Sequence, residues 1–529
     1  MKTLQWVQLR LIIPITLLPL VVCAGCATNN PNPLSPPLTE QSQLLPQHGL
    51  VVVRFVILPS HSQYASSDSQ SLSIQTLPSG REFVVGAFNK ENFNTSEFVA
   101  QLPAGRYKLT ELRGSGLIEP LTAAPFSIHT GSITNLGTLV LQFVKNDPTT
   151  RKFHIGHVDS VAELNALVTR NFPVIARLAQ DNPVQVWPYG VLTTAKQVGV
   201  ASVSNTPALN NPVVLADGRI FAGSQLGRIL VRSDNRWTSL ETDSTLQIAT
   251  VLPVSSSTLL AGGEEGLLLL SKDNGRSWRN LVPPVQDGVV WKLVQGMDGR
   301  IYAGMRLHEE FVVYWTESVE NPIWHEAQRL PFLYNSHAGS PLLNTMHPIE
   351  PVARPQLFST PQFVIAMSPN KDYERIATYS LATKSWQVQD GPGVFRSVTM
   401  APEGILFGSS RVGILYGTMV SQDGGQNWMD LNSRYWQPVF LDRNTGFALK
   451  SSYPRRNQKL LIYKTTDAGK TWNEVSYLDN LASMIGETKL FADIKNRILY
   501  AVMQNGDIYQ SKDEGATWAA DRIVFAIKH

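Results

Sequence analysis

The chain has 529 residues, 43% of them hydrophobic and 16% charged, with a formal net charge of +3. That length leaves room for about three domains, and so small a charge removes any electrostatic case for a nucleic-acid partner. The only cysteines, Cys23 and Cys26, both lie near the N-terminus, so the rest of the chain holds no disulfide and no thiolate metal ligand.

Lys2 and Arg10 precede an apolar run, Leu11–Val22, that is of signal-peptide length and too short to span a bilayer comfortably. Small residues then lead to Cys26 in Cys23–Ala24–Gly25–Cys26, which resembles the bacterial lipobox. The resemblance implies cleavage after Gly25 and lipid on Cys26, with Cys23 standing where Leu is usual. Residues 1–25 are therefore read as a lipoprotein signal peptide. Ala27 rather than Asp follows the cysteine, which points to the periplasmic side of the outer membrane of a Gram-negative host. Residues 26–49, rich in Asn, Pro, Ser and Gln, read as a flexible tether.

From Leu50 the texture turns to short β-type runs: Val51–Leu58, Glu82–Phe88, Phe98–Leu102, Phe126–His129 and Leu136–Phe143. Gly and Pro punctuate them, which predicts a small antiparallel β-sandwich over 50–145. The phrase Leu102–Pro103–Ala104–Gly105–Arg106–Tyr107 resembles small transthyretin-like or carboxypeptidase-regulatory-like sandwiches of bacterial lipoproteins and implies a turn followed by an inward-facing Tyr107, so the domain is read as a transthyretin-like or Ig-like sandwich. Residues 146–186 read as a helical connector. Ser160 and Glu163 match a capping box, Leu164, Leu167 and Val168 fall at helical spacing, and Pro173 opens a second short helix to Gln180. His154 and His157 lie just before the first helix without a carboxylate cluster, so no metal site is assigned.

The remainder is organised by one phrase, Ser/Thr-x-Asp-x-Gly-x-(Ser/Thr/Asn)-Trp. It occurs at Ser271–Trp278, Ser421–Trp428, Thr465–Trp472 and Ser511–Trp518, each time after a β-rich run. An Asp in a turn can accept from the backbone N–H groups that follow it. The Gly two residues on can take positive φ, and the Trp can anchor the returning strand. The phrase resembles the Asp-box, or BNR, repeat of sialidase and sortilin-type β-propellers. That likeness implies a structural turn at the propeller's edge, formed by Asp273, Gly275, Trp278, Asp423, Gly425, Trp428, Asp467, Gly469, Trp472, Asp513, Gly515 and Trp518. Weaker copies end at Trp237, Trp324 and Trp386. Successive tryptophans are 41, 46, 62, 42, 44 and 46 residues apart, close to the period of a four-stranded blade. The fold expected is all-β, with a seven-bladed β-propeller over 187–529 behind the sandwich and connector; six or eight blades stay open. Val198–Ala216 is expected to supply the first inner strand, and Ile523–Ile527 pairing at the closure.

If the box turn joins the third and fourth strands at one end, the second-to-third-strand loops and blade crossings share the opposite face. The 62-residue step implies an insertion between Leu330 and Pro361 on that face. Candidate binding residues there are Arg306, His308, Glu309, Tyr334, His337, Tyr373, Arg411 and Arg455, because mixed Arg and aromatic content suits an interface. A sialidase would clamp a carboxylate with three arginines, but the Arg-Ile-Pro phrase of that family is absent. Arg306, Arg411 and Arg455 have no spacing that shows convergence. No catalytic triad, zinc or phosphate-loop motif occurs, so no cofactor is expected. Two readings stand. One is a lipid-anchored envelope scaffold for a protein partner, resembling the photosystem II stability/assembly-factor propellers, from which the extra sandwich departs. The other is a sialidase-like glycan hydrolase or glycan-binding protein using the funnel.

Overall fold

The computed structural model describes residues 37–58, 71–88, 95–114, 117–120, 125–143, 153–158, 160–178, 185–186, 209–215, 217–333, 354–371, 373–412, 415–431, 435–451, 459–478, 488–503 and 507–521. Cys26, the proposed lipid site, and the 523–527 segment lie outside them, as do Tyr334, His337 and Arg455. No helix among the described residues is long and apolar enough to cross a membrane.

The N-terminal unit has two five-stranded sheets. In the first, β1 (His48–Leu58) pairs with β4 (Thr95–Pro103) on one edge and with β8 (Ile133–Phe143) on the other. In the second, β2 (Ser71–Leu77) pairs with β3 (Glu82–Gly86) and β5 (Gly105–Gly114), and β5 carries β6 (Leu117–Pro120) and β7 (Phe126–Ile128). The period of two along β1 explains its composition. Val51, Val53 and Phe55 face the second sheet in one core with Leu72, Leu109 and Tyr107. Leu50 and Val52 face the opposite way, against two helices. Tyr107 is buried, and its hydroxyl donates to the Pro103 carbonyl at 2.6 Å, closing the Pro-Ala-Gly turn.

The segment after 145 departs from a purely helical connector. β9 (Phe153–Val158) and β10 (Gln185–Val186) both pair with β8, so this stretch completes the first sheet. His154 and His157 therefore lie in a strand, and His157 Nε2 meets the Leu136 carbonyl oxygen at 3.0 Å. Between these strands lie α1 (Val161–Asn171) and α2 (Pro173–Leu178). Leu164, Leu167 and Val168 are buried, as their spacing requires. The capping box does not form. Ser160 makes no side-chain cap bond and instead meets Thr138 Oγ1 at 2.7 Å, while Glu163 is turned to long-range partners. A buried guanidinium outcompetes the backbone N–H that Glu163 would otherwise cap.

Beyond 209 the described residues form seven four-stranded antiparallel sheets, spanning 210–241, 248–280, 289–331, 356–390, 394–430, 436–478 and 489–520. Strands follow one another in order within each sheet. First strands of neighbouring sheets lie against each other from the first sheet to the fourth and from the fifth to the seventh. The fourth sheet packs its second and third strands on the first strand of the fifth. The seventh sheet's first strand returns to that of the first, so the sheets close a ring. The first strand of the ring opens at Asn210, inside the expected segment. Asn211 donates to the carbonyls of Ala249 and Trp291 at 2.9 and 3.2 Å and so ties the first three sheets together near the axis. At the seam, Asp521 Oδ2 accepts from Arg232 Nε at 2.8 Å and from Trp237 Nε1 at 2.9 Å, all three residues being buried.

Candidate functional site

The two ends of the ring are built differently. At one end the four full phrases form turns between the third and fourth strands of the second, fifth, sixth and seventh sheets. In the second, Ser271 Oγ donates to Asp273 Oδ1 at 2.8 Å and accepts from Gly275 N at 2.7 Å. Asp273 also accepts from the backbone N–H and the hydroxyl of Ser277, at 2.9 and 2.6 Å. The same bonds recur around Asp423 with Asn427, Asp467 with Thr471 and Asp513 with Thr517. Gly275, Gly425, Gly469 and Gly515 all have φ between 83° and 87°, and the residue before each is left-handed as well. The Trp428, Trp472 and Trp518 indoles donate back to the carbonyls of those glycines. The opening Ser/Thr is thus as much a part of the turn as the Asp. Hydrogen bonds from Ser277 and Ser271 hold the Asp273 carboxyl down at about 2, and those from Thr471 and Thr465 do the same for Asp467.

At the opposite end lie the second-to-third-strand turns and the crossings between sheets. Here the third and fourth sheets bring several candidate residues together. His308 and Glu309 form the two-residue tip between Ile301–Leu307 and Glu310–Thr316. Phe332 N donates to the Glu309 carbonyl at 2.6 Å, and the Arg306 guanidinium lies 4.9 Å from the centre of the Phe332 ring. Leu333 N then donates to Pro369 O, and Lys371 N to Leu333 O, which zips the third sheet's exit onto the turn of the fourth. On that turn Asn370 Nδ2 reaches the Tyr373 hydroxyl at 2.6 Å. Arg411 sits on the second strand of the fifth sheet, in register with Val394 and Tyr416. The insertion leaves the described residues at Leu333 and returns at Arg354, whose guanidinium is 5.8 Å from the Trp291 ring. Trp291 Nε1 donates to the Pro355 carbonyl at 2.8 Å.

On the first two sheets the same face is occupied by the N-terminal unit, and of the residues that achieve this only Glu163 was singled out in the sequence, for a different role. Arg54 of β1 is fully buried. Its Nε donates to Glu97 of β4 at 2.9 Å, its Nη1 to Glu163 of α1 at 2.9 Å and to Thr245 Oγ1 at 3.0 Å, and its Nη2 to Glu265 at 2.8 Å. Thr245 is in the crossing between the first and second sheets, and Glu265 is in the second sheet's Glu264–Gly266 turn. Glu163 Oε1 also accepts from Thr245 N at 2.9 Å. Arg170 bridges Glu265 at 3.2 Å and Asp287 at 3.1 Å. Thr95 Oγ1 donates to Glu264, which is fully buried, and Leu226 of the first sheet packs on Val56, Val140 and Val158.

Five carboxylates, those of Glu97, Glu163, Glu264, Glu265 and Asp287, thus share this joint with two guanidiniums, and the excess of negative charge favours protonation of one of them. Burial, and then the neighbouring Glu265 charge, push the Glu97 carboxyl well above the ordinary range. Burial acts the same way on Glu265, but Arg54, the hydrogen bond from Glu97 and Arg170 outweigh it and keep Glu265 low. Of this pair Glu97 is thus the carboxyl pushed toward its protonated form and Glu265 the one held toward its charged form. The signal in the sequence was a lone Arg inside the apolar run Val51–Leu58, where a charge has to be buried and hence paired.

Among the described residues no group of three or more His, Cys, Asp or Glu could hold a metal ion. On the third sheet's first strand, Lys292 has its amine lowered to about 8 by burial. Glu374 is buried and pushed well up by desolvation, although Phe395 N donates to it at 3.2 Å.

Four-stranded antiparallel sheets set around a closed ring define a β-propeller. No protein-family model matches the chain, and no curated protein matches it in sequence. Among solved structures it is similar to YCF48 bound to a D1 peptide, at 15% identity and a TM-score of 0.37, over 53% of this chain and 83% of that one. It is also similar to YCF48 from Cyanidioschyzon merolae, at 13% identity and a TM-score of 0.40, over 58% and 96%. A third is a polysaccharide lyase, an ulvan lyase with a bound saccharide, at 12% identity and a TM-score of 0.37, over 58% and 94%.

Proposed function

We propose that the protein is a lipid-anchored scaffold of the bacterial cell envelope that holds a protein partner on the propeller face opposite the box turns. In this reading Cys26 carries the lipid, residues 26–49 are the tether, and 50–145 with the connector 146–186 form a transthyretin-like or Ig-like sandwich. Residues 187–529 form a seven-bladed propeller of the Asp-box (BNR) type, whose box residues are structural. The observation that carries the reading is the buried Arg54 joint. It fixes the N-terminal unit over the first two sheets. The partner is left the arc bearing Arg306, His308, Glu309 and Tyr373, in a set orientation to the tethered end. Those side chains sit on short hairpins zipped to one another, so little ordering entropy is lost when they bind.

The test is capture from envelope extracts by the full-length protein in detergent, beside a glycan array. A protein held by the wild type and lost on Tyr373→Ala or on deletion of 334–353, with the melting temperature unchanged, supports the scaffold. Retention of an acidic glycan in place of a protein contradicts it. Cys26→Ser is expected to release the protein from membranes, and continued membrane association would remove the lipid anchor from the account.

A further inference from the structure

The third sheet carries a nucleophile that the scaffold reading leaves unused. Lys292 lies on that sheet's first strand, Val289–Gln295, one residue past a bulge at Trp291. The backbone on either side of it is pinned. Asn211 Nδ2 of the first sheet donates to Trp291 O, and Leu293 N donates to Thr250 Oγ1 of the second, both at 3.2 Å. Val290, Trp291 and Leu293 are buried, so the strand holds Lys292 in one place.

The surroundings offer its amine no counter-charge. The register pairs Lys292 with Gly304, and residues so paired point to the same side of a sheet. That side is apolar, because a Cβ at Gly304 would lie 2.5 Å from the Phe311 ring and 3.4 Å from Leu357. The neighbouring first strands, Ile248–Pro253 and Gln356–Ser359, contain no ionisable residue. The other charged side chains on the third sheet's strands have partners of their own. Arg306 lies on Phe332, Glu310 and Glu326 pair with Arg329, and His325 stacks on Trp315. Lys292 makes no hydrogen bond or ion pair among the described residues, and part of its side chain stays open to solvent.

An ammonium enclosed without an opposing charge holds its proton weakly, and burial alone brings this one down to about 8. A lysine desolvated in apolar surroundings is an activated nucleophile toward carbonyl carbon. The uncharged product of that chemistry also needs no counter-ion, which suits a place that supplies none. We propose that Lys292 is a covalent site for a small apolar aldehyde, which it takes as an imine. The nitrogen lone pair attacks the carbonyl carbon and forms the C–N bond. The carbonyl oxygen leaves as water with the two protons of the amine, so no oxidant or reductant is needed. The site is independent of any partner on the propeller face.

The test is reductive labelling of the full-length protein in detergent at pH 7. Butanal is the probe, cyanoborohydride traps the imine as a secondary amine, and peptide mass mapping reads the rate at each lysine. Lys292 is expected to react about tenfold faster than the exposed Lys272, Lys384 and Lys512, because each unit by which its affinity for the proton is lowered multiplies the neutral amine tenfold. Its rate should level off as butanal is raised, and the preference should vanish in denaturant. Labelling of Lys292 no faster than the exposed lysines would overturn the proposal. So would a rate that rises in proportion to butanal without levelling, which would leave a reactive amine with no site. Protection of Lys292 by butyrate at lower concentration than butanal needs to label it would assign the place to a carboxylate instead, and overturn the proposal too.

Discussion

The box end and the docked end of the propeller are held by opposite kinds of chemistry. At the box end four near-identical turns each satisfy themselves within eight residues, and the carboxylates involved sit at the surface with their protons driven off. At the docked end one guanidinium gathers carboxylates from β4, α1 and the second propeller sheet, up to 211 residues away, and a carboxyl there is pushed toward its protonated form. Local repetition makes a structure that tolerates the loss of one copy. A single long-range cluster makes a joint that fails as a whole, because removing one partner leaves buried charge uncompensated.

The largest effect that should separate the two ends is that of Arg54→Met. It strands three carboxylates in the joint, so a loss of about 3–5 kcal/mol is expected in denaturant unfolding. Eleven of the twelve tryptophans lie at or beyond residue 187, so indole fluorescence follows the propeller, and far-ultraviolet dichroism follows both units. The variant should separate these two probes, with the N-terminal unit becoming sensitive to protease under conditions where the indole signal is still native. Gly469→Ala should be smaller and local. Its φ of 85° is strained for alanine, and the new Cβ meets Leu431 at 3.0 Å, for about 1–2 kcal/mol with both probes still coincident. A box variant that releases the N-terminal unit would break the comparison.

Acid and alkali should sharpen it. Asp273 and Asp467 fall from 3.8 to about 2 on folding. Their contribution is present above the unfolded value and is lost as pH drops through the folded one, so the box end weakens between about pH 4 and pH 2. Glu97 runs the other way. Its folded value is raised above 4.5, so the folded state holds a proton the unfolded chain releases, and stability declines as pH rises from there through the raised value. Glu374 contributes with the same sign. Glu97→Gln should therefore flatten part of the decline in a pH series of melting temperatures and Glu374→Gln the rest. A decline untouched by either would place the titrating groups elsewhere.

What the sequence disclosed follows the same division. The box turns, the inward Tyr107 and the buried stripe Leu164, Leu167 and Val168 depend on residues a few positions apart, where turn chemistry and periodicity suffice. The joint was hidden because its members each had a plausible local reading. Glu163 stands three residues after Ser160, as a capping box would have it, and Glu264 and Glu265 lie in a Gly-Gly-Glu-Glu-Gly turn. Only pairing across more than a hundred residues decides between these uses. The same holds for Asp521, which completes the seam with Arg232 and Trp237. Of the candidate face, Arg306, His308, Glu309 and Tyr373 came from counting strands between tryptophans, which works because every sheet runs in the same order.

The central claim, that Arg54 locks the N-terminal unit to the propeller through Glu265, is tested most directly by a double-mutant cycle. Arg54→Met, Glu265→Gln and the double variant are compared in denaturant unfolding, followed by tryptophan fluorescence and far-ultraviolet dichroism. The account predicts a coupling energy of about 1–3 kcal/mol, the range for groups in one hydrogen-bonded network. Additivity to within about 0.5 kcal/mol, the behaviour of independent sites, would contradict it.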